Sequence, residues 1–259
     1  MNNPVNDSAS TAEPVQNYLE KSGLLSQLSL PMADFAARTA YHLQQLRSYL
    51  AASAGATTGE AVTDVAVSEN SVTWQYAVPE LGEGGACSLF GVLADTPYDL
   101  TAILGGRTAA NHQALLTLKH ITTYYREQAK VAWFGIYQAR DNVQGQPVLV
   151  KLSYFGAPSR AEFPLTAEFA QISNNSTVGL SGQARVINDV AAYLQQGGEY
   201  YTCDPKVQAE ACLPLFDQSG RIVGIVDAED FTKQVFTPEA MALLVAVCLA
   251  IPEFLPATS

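Results

Sequence analysis

Between Thr108 and Phe155 the chain changes periodicity twice with no linker in between, and this stretch restricts the fold more than any other. Leu115, Leu118, Ile121 and Tyr125 recur at three- and four-residue steps, which predicts an amphipathic helix from about Thr108 to Gln128. The apolar run Val131–Tyr137 follows at once and has the length of a buried strand. A second strand is expected over Pro147–Phe155, where Val148, Val150, Leu152 and Tyr154 alternate with Leu149, Lys151 and Ser153. Asp141–Gln146 makes the turn between them. Helix, hairpin and the start of an antiparallel sheet are thus in place by residue 155.

The remainder continues in the same style. A polar Gly/Ser/Asn loop, including Asn174, Asn175 and Ser176, precedes a short helix at about Val190–Gln196 and a strand at Ala211–Phe216. Asp217–Gly220 turns the chain into a strand at Arg221–Asp227. Thr237, Pro238 and Glu239 supply an N-cap, a first-turn proline and a first-turn acid to a last helix, whose stretch Met241–Ile251 is almost wholly apolar and therefore buried. This helix is expected to pack beside the opening one on a single face of the sheet.

Upstream the pattern is looser. Residues 1–17 are short, polar side chains with few large apolar groups, which predicts a disordered tail. Met32, Phe35, Ala36, Thr39, Leu43, Leu46 and Leu50 predict a helix over about 31–50, and small residues from Ala51 to Glu60 read as a linker. Val72, Trp74, Tyr76 and Val78 alternate as a strand over about 72–78 that Pro79 ends, and the Gly-rich stretch Leu81–Gly85 reads as a turn. The domain organisation expected is a tail (1–17), an acidic N-terminal segment of unassigned role (18–104) and one α+β domain (105–259).

Charge and cysteine usage narrow the function classes. The formal net charge is −11, and before Gly105 only Lys21, Arg38 and Arg47 face eleven acidic residues, so nucleic acid and anionic membranes are poor partners. No stretch approaches the ~20 apolar residues of a membrane span, and the start lacks a signal peptide's basic and apolar regions, which predicts a cytoplasmic protein. Cys87, Cys203, Cys212 and Cys248 form no CxxC pair and the histidines number three, so no metal site and no cofactor are expected.

The order helix, hairpin, loop, helix, hairpin, helix resembles a GAF domain, a central antiparallel sheet with helices packed on one face, here preceded by a helical and strand extension. Four strings sharpen the resemblance towards the free methionine-(R)-sulfoxide reductases. Trp133–Tyr137 looks like that family's W-x-G-[FY]-Y strand, and Tyr201–Asp204 like its H-I-A-C-D turn. Ala209–Leu215 is similar to its S-E-I-V-x-P-L strand, and Val223–Asp230 to its [IV]-G-V-L-D-I-D-S segment. The resemblance implies that Cys203 is the nucleophile, that Glu210, Asp227 and Glu229 bind the substrate amine or handle the proton, and that Trp133 and Tyr137 flank the substrate beside Asp204. Each also has a plainer reading: Trp133 and Tyr137, four apart on one strand face, suit an ordinary core, and a lone cysteine is more often structural than catalytic.

Free methionine sulfoxide is a small zwitterion with one S=O group. A pocket for it needs acids for the ammonium, an aromatic wall, a thiol and a proton donor for the departing oxygen. The family usually carries two further cysteines, and Arg160 and Ser181 stand at the matching positions; a stretch of about Thr166–Ser176 is additional. Cys212, two residues beyond Glu210 on the same strand face, is the remaining candidate for a resolving thiol. Two functions follow as expectations: reduction of free methionine-(R)-sulfoxide, with a thioredoxin-like external dithiol as reductant, or a non-catalytic GAF module binding a small ligand such as an amino acid. Residues 18–104 are left to cover the pocket, to mediate a homodimer, or to do neither.

Overall fold

The computed structural model describes residues 7–27, 30–57, 72–82, 88–200 and 204–258. Helices α1 (Asp7–Lys21) and α2 (Met32–Thr57) open the chain. Four short strands follow, β1 (Gln75–Tyr76), β2 (Pro79–Leu81), β3 (Ser88–Leu93) and β4 (Tyr98–Asp99), then helices α3 (Leu100–Ile103) and α4 (Ala109–Ala129). Strands β5 (Trp133–Asp141), β6 (Pro147–Phe155) and β7 (Glu162–Pro164) lead to helices α5 (Ala167–Ala170) and α6 (Asn174–Ser181). The chain closes with β8 (Arg185–Ile187), α7 (Val190–Gln195), β9 (Ala209–Phe216), β10 (Ile222–Asp230) and α8 (Pro238–Ala250).

Strands β5 to β10 form one antiparallel sheet in the order β7-β6-β5-β10-β9-β8. Helix α4 packs on β5 and β6, α8 packs on β9, and α4 and α8 touch each other, so the two long helices of this part share a face as expected. Thr108 caps α4 by accepting from the Asn111 amide at 3.1 Å, and the buried stripe Leu115, Leu118, Ile121 and Tyr125 faces the sheet. Lys130, at φ 54°, ends the helix in the left-handed region and turns the chain into β5.

The N-terminal helices complete this face. Helix α8 is apolar on every side, which a helix tolerates only when surrounded. Helix α2 covers the side left open by the sheet and α4, burying Phe35, Ala36, Leu43 and Leu46 against α8. A single hydrophobic cluster therefore runs from Val15 through α2 and α4 to Ile251.

Several upstream expectations change. The tail expected to be loose enters α1 at Asp7, and Val15 and Leu19 are fully buried. The large apolar residues Val15, Tyr18 and Leu19 of α1 sit at helical spacing across the expected boundary at residue 17, and the Tyr18 hydroxyl donates to the Pro214 carbonyl at 2.9 Å. The expected linker begins late: alanines 51, 52 and 54 extend α2 to Thr57, as their helix propensity allows. Val72, Trp74 and Tyr76 are buried on one side as the alternation implies, yet only Gln75–Tyr76 pairs as a strand, with β4. Most of the Gly-rich turn at 81–85, and Cys87, lie outside the described residues. Among the described residues no helix is long and apolar enough to cross a membrane.

Candidate functional site

The second face of the sheet is built differently. On β5, Trp133, Gly135 and Tyr137 point to it, and the two rings stand 6.4 Å apart between centroids. Gly135 permits this: a Cβ there would lie 2.4 Å from the Trp133 ring and 3.0 Å from the Tyr137 ring. Across the ladder, Glu229 of β10 pairs with Trp133 and Asp227 with Gly135. On the far side of β10, Glu229 pairs with Glu210 of β9 and Asp227 with Cys212. Strand alternation alone thus gathers two aromatics, three acids and a thiol on one patch.

Two of the acids are almost dry, and Glu229 is partly buried. Glu210 is 4% and Asp227 3% exposed. Asn174 donates to Glu210 at 3.0 Å, and Asn175 donates to Asp227 Oδ2 at 3.1 Å. Tyr200 adds a hydrogen bond to Glu210. Asp227 Oδ1 is buried without a partner among the described residues. Burial first, and then the neighbouring Glu210 and Asp204 charges, push Glu229 up to about 8, against the pull of Lys151. Asp227 is raised well above the usual carboxylate range by burial and then by Glu210 and Glu229, and Glu210 is raised by burial. The cluster therefore holds protons near neutrality, and a cation bound beside it favours their release to solvent.

Opposite the acids lies a buried lysine that the alternation of β6 had disguised. Tyr137 pairs with Lys151 and Ile136 with Ser153, so Leu152 is an extra residue, a bulge. Beyond it the faces exchange: Ser153 accepts from Thr122 of α4 at 2.8 Å, and Tyr154 joins the face of Lys151, contrary to the uninterrupted alternation expected. The Lys151 Nζ, fully buried, stands 4.0 Å over the Tyr154 ring, 5.0 Å over Tyr76 and 5.9 Å over Trp133. It donates to the Ser159 carbonyl at 2.7 Å and to the Ser159 Oγ at 2.6 Å. Burial lowers its proton affinity well below that of an ordinary lysine, and Glu229 works in the opposite direction.

Between these walls is a cavity of about 520 Å³. Trp133, Tyr137, Asp227 and Glu229 form its floor, Ala157–Arg160 and Phe163 one side, and Asp204, Lys206 and Phe231 another. Its roof is the N-terminal pair β2–β3, which contributes Pro79, Leu89, Val92 and Leu93 and the buried Ser88 Oγ, which has no partner among the described residues.

Five of the residues singled out in the sequence, Trp133, Tyr137, Asp204, Asp227 and Glu229, line this cavity, and Glu210 lies against Glu229 on the neighbouring strand. Cys212 is fully buried in an apolar cluster with Trp133, Tyr137, Leu149, Val178 and Ile225, and burial and then Asp227 push its thiol up. Cys203 lies outside the described residues; its described neighbours are Tyr200, bonded to Glu210, and Asp204, on the cavity wall. Arg160 lines the cavity, its guanidinium 4.7 Å over the Phe169 ring, whereas Ser181 ends α6 with its hydroxyl on the Thr177 carbonyl. The polar loop expected around Asn174–Ser176 is instead the buried first turn of α6, capped by Ser173. Lys151, Ser159, Asn174 and Asn175 were not anticipated; a lysine inside an otherwise apolar strand was the one available sign.

A model of the GAF domain matches residues 114–251, and the chain belongs to the GAF domain family. Comparison with the curated proteins finds no match. Among solved structures, the type II free methionine-R-sulfoxide reductase of Thermoplasma acidophilum is 22% identical, with 56% of this chain and 97% of that one covered and a TM-score of 0.45. A putative GAF sensor protein from Burkholderia vietnamiensis is 19% identical, with 56% and 85% covered and a TM-score of 0.44. The free methionine-R-sulfoxide reductase of Neisseria meningitidis, solved with its substrate, is 18% identical, with 59% and 81% covered and a TM-score of 0.44.

Proposed function

We propose that the cavity binds a small amino acid through its ammonium group and that the protein reduces free methionine-(R)-sulfoxide, with Cys203 as nucleophile. The observation that carries the ligand class is Asp227 Oδ1, a buried carboxyl oxygen without a partner among the described residues, on the wall of an aromatic-lined cavity. Such an atom is costly to leave unmade, and an ammonium donor satisfies it. In the reaction, the Cys203 thiolate attacks the sulfoxide sulfur while the sulfoxide oxygen accepts a proton. The S–O bond breaks to leave hydroxide and an S–S sulfonium adduct; hydroxide then adds to the cysteine sulfur, the S–S bond breaks with its electron pair going to methionine, and the cysteine is left as a sulfenic acid. Glu229, protonated below about pH 8, is the proton donor at hand. An external dithiol, such as a thioredoxin-like protein, then returns the sulfenic acid to the thiol with release of water.

A second reading, a GAF module that binds the amino acid without turning it over, is favoured by one feature. Arg160 and Ser181 occupy the usual positions of the resolving thiols, and the remaining candidate, Cys212, is a buried thiol with raised pKa. One assay separates the two. Purified protein is mixed with free methionine-(R)-sulfoxide and dithiothreitol, and methionine is quantified for wild type and Cys203→Ser. Turnover in wild type that falls at least a thousandfold in the variant supports the reductase. Ligand binding without methionine above the thiol blank supports the sensor, and turnover that survives Cys203→Ser removes the nucleophile assignment.

A further inference from the structure

The cavity has a second pole, opposite the acids, that the ammonium-binding role does not use. An ammonium has three N–H donors. At Lys151 they have three acceptors: the Ser159 carbonyl, the Ser159 Oγ and the face of Tyr154 at 4.0 Å. A carbonyl oxygen can only accept, and three ring faces surround the nitrogen, so the arrangement is matched to a cation.

The consequence falls on Ser159. Because its Oγ accepts from Lys151, its own proton is left to be given away, and Ser159 lines the cavity. That hydroxyl is hydrogen-bonded to the Tyr137 hydroxyl, whose bond to the Arg160 carbonyl is long at 3.4 Å. A long hydrogen bond gives up its proton to a better acceptor at little cost. Two hydroxyl donors therefore stand side by side on the cavity wall, one of them polarised by a buried positive charge.

The two poles are close enough to be read by one small molecule. Asp227 pairs with Gly135, two residues from Tyr137 on the same strand face, and Tyr137 in turn pairs with Lys151. The ammonium and carboxylate of an α-amino acid are likewise adjacent, two bonds apart.

We propose that Ser159 and Tyr137, with Lys151 behind them, bind the carboxylate of the ligand, so that the site selects free amino acids whose carboxyl group is ionised. Each carboxylate oxygen takes one hydroxyl proton, and Lys151 supplies the charge from its aromatic enclosure without touching the ligand. Lys151 is thus a positioning residue and Ser159 a binding one. The proposal rests on the reading that an amino acid occupies this cavity.

The test is calorimetric titration of the full chain with free L-methionine sulfoxide and, separately, with its carboxamide, which keeps the ammonium and the sulfoxide but has no carboxylate charge. Wild type is expected to bind the acid at least tenfold more tightly than the carboxamide, the range of a charge-assisted hydrogen bond. Ser159→Ala and Lys151→Met are each expected to bring that ratio to within twofold of one by weakening the acid alone. A general loss of structure lowers both affinities together and leaves the ratio unmoved. Should Lys151→Met not fold, Ser159→Ala decides, since it removes one oxygen from a half-buried loop residue. Equal binding of both probes by wild type, or an undiminished ratio in Ser159→Ala, overturns the carboxylate site while leaving the ammonium site standing. Failure of wild type to bind either probe overturns both.

Discussion

The two faces of the central sheet are buried by opposite means. The helix face is mostly apolar: Phe134, Ile136, Leu213 and Val226 are fully buried there beside α4 and α8, and α2 seals the layer from outside. The pocket face buries Lys151, Glu210 and Asp227, and leaves Asp227 Oδ1 and, in the strand pair above it, Ser88 Oγ without partners among the described residues. Charges in a dry interior cost stability unless paired, whereas close-packed apolar side chains supply it. One sheet thus separates holding the fold together from keeping unsatisfied groups ready for a ligand, and the two faces should answer mutation with opposite signs.

The largest expected effect is on the helix face. Phe134, fully buried and 4.3 Å from the Tyr125 ring, when changed to Ala should lower unfolding free energy by about 3–5 kcal/mol in chemical denaturation. A loss below about 1 kcal/mol would mean that this face is not the stabilising one. On the pocket face, Gly135→Ala should cost about 1–3 kcal/mol, because the new Cβ would sit 2.4 Å from the Trp133 ring, and it should weaken ligand binding by displacing that ring. Asp227→Asn should act in the opposite sense. It replaces a carboxyl that burial and two neighbouring acids hold well above the usual range by a neutral amide, so stability should rise by about 1–3 kcal/mol at the alkaline pH where the cluster ionises, while affinity for an amino acid falls. A destabilised, tight-binding Asp227→Asn protein would remove the contrast between the faces.

The proton held by Glu229 sharpens the comparison along pH. Its carboxyl is raised in the folded protein from 4.5 to about 8, so between these values the unfolded chain has released a proton that the folded chain retains. Stability from this group is complete below about pH 4.5, declines as pH rises, and is fully lost above about pH 8. Glu229→Gln should flatten that decline in thermal denaturation followed from pH 5 to 9. If catalysis uses Glu229 as proton donor, wild-type turnover should fall as pH rises through about 8, and the variant should be slow at every pH.

The helix face was readable from sequence because its partners are announced by periodicity: the stripe of α4, the apolar run of β5 and the uniformly apolar α8 need no knowledge of the rest of the chain. On the pocket face, Trp133, Tyr137, Asp227, Glu229 and Glu210 were readable for the same reason, since strand alternation and the family strings agree on them. The other half of the pocket was hidden by events that periodicity does not record. The bulge at Leu152 moves Tyr154 to the side of Lys151, so an uninterrupted alternation assigns it to the wrong face. Asn174 and Asn175 look like loop residues until Ser173 caps α6 and turns their amides onto the acids. Helix α1 escaped because it is buried by tertiary packing, on α2 and then on α8, that its own short polar stretch does not announce.

The smallest expected effect concerns what holds the outer helix to the helix face. Arg38 and His42 of α2 both reach Glu239 of α8, at 2.6 and 2.8 Å, and together they lower the Glu239 pKa, Arg38 foremost. Arg38 and Glu239 are about half exposed, so the ion pair is screened by solvent and salt. Beneath it, Phe35, Leu43 and Leu46 are buried against the same helix. If apolar burial is the rule of this face, Arg38→Ala should cost less than about 1 kcal/mol, and the difference from wild type should vanish in 1 M salt. Leu46→Ala, a fully buried change on the same helix, should cost about 2–5 kcal/mol and be indifferent to salt. An Arg38→Ala loss as large as that of Leu46→Ala would show that α2 is held by charge, and the helix face would then share with the pocket face a dependence on buried or bridging ions that its composition denies.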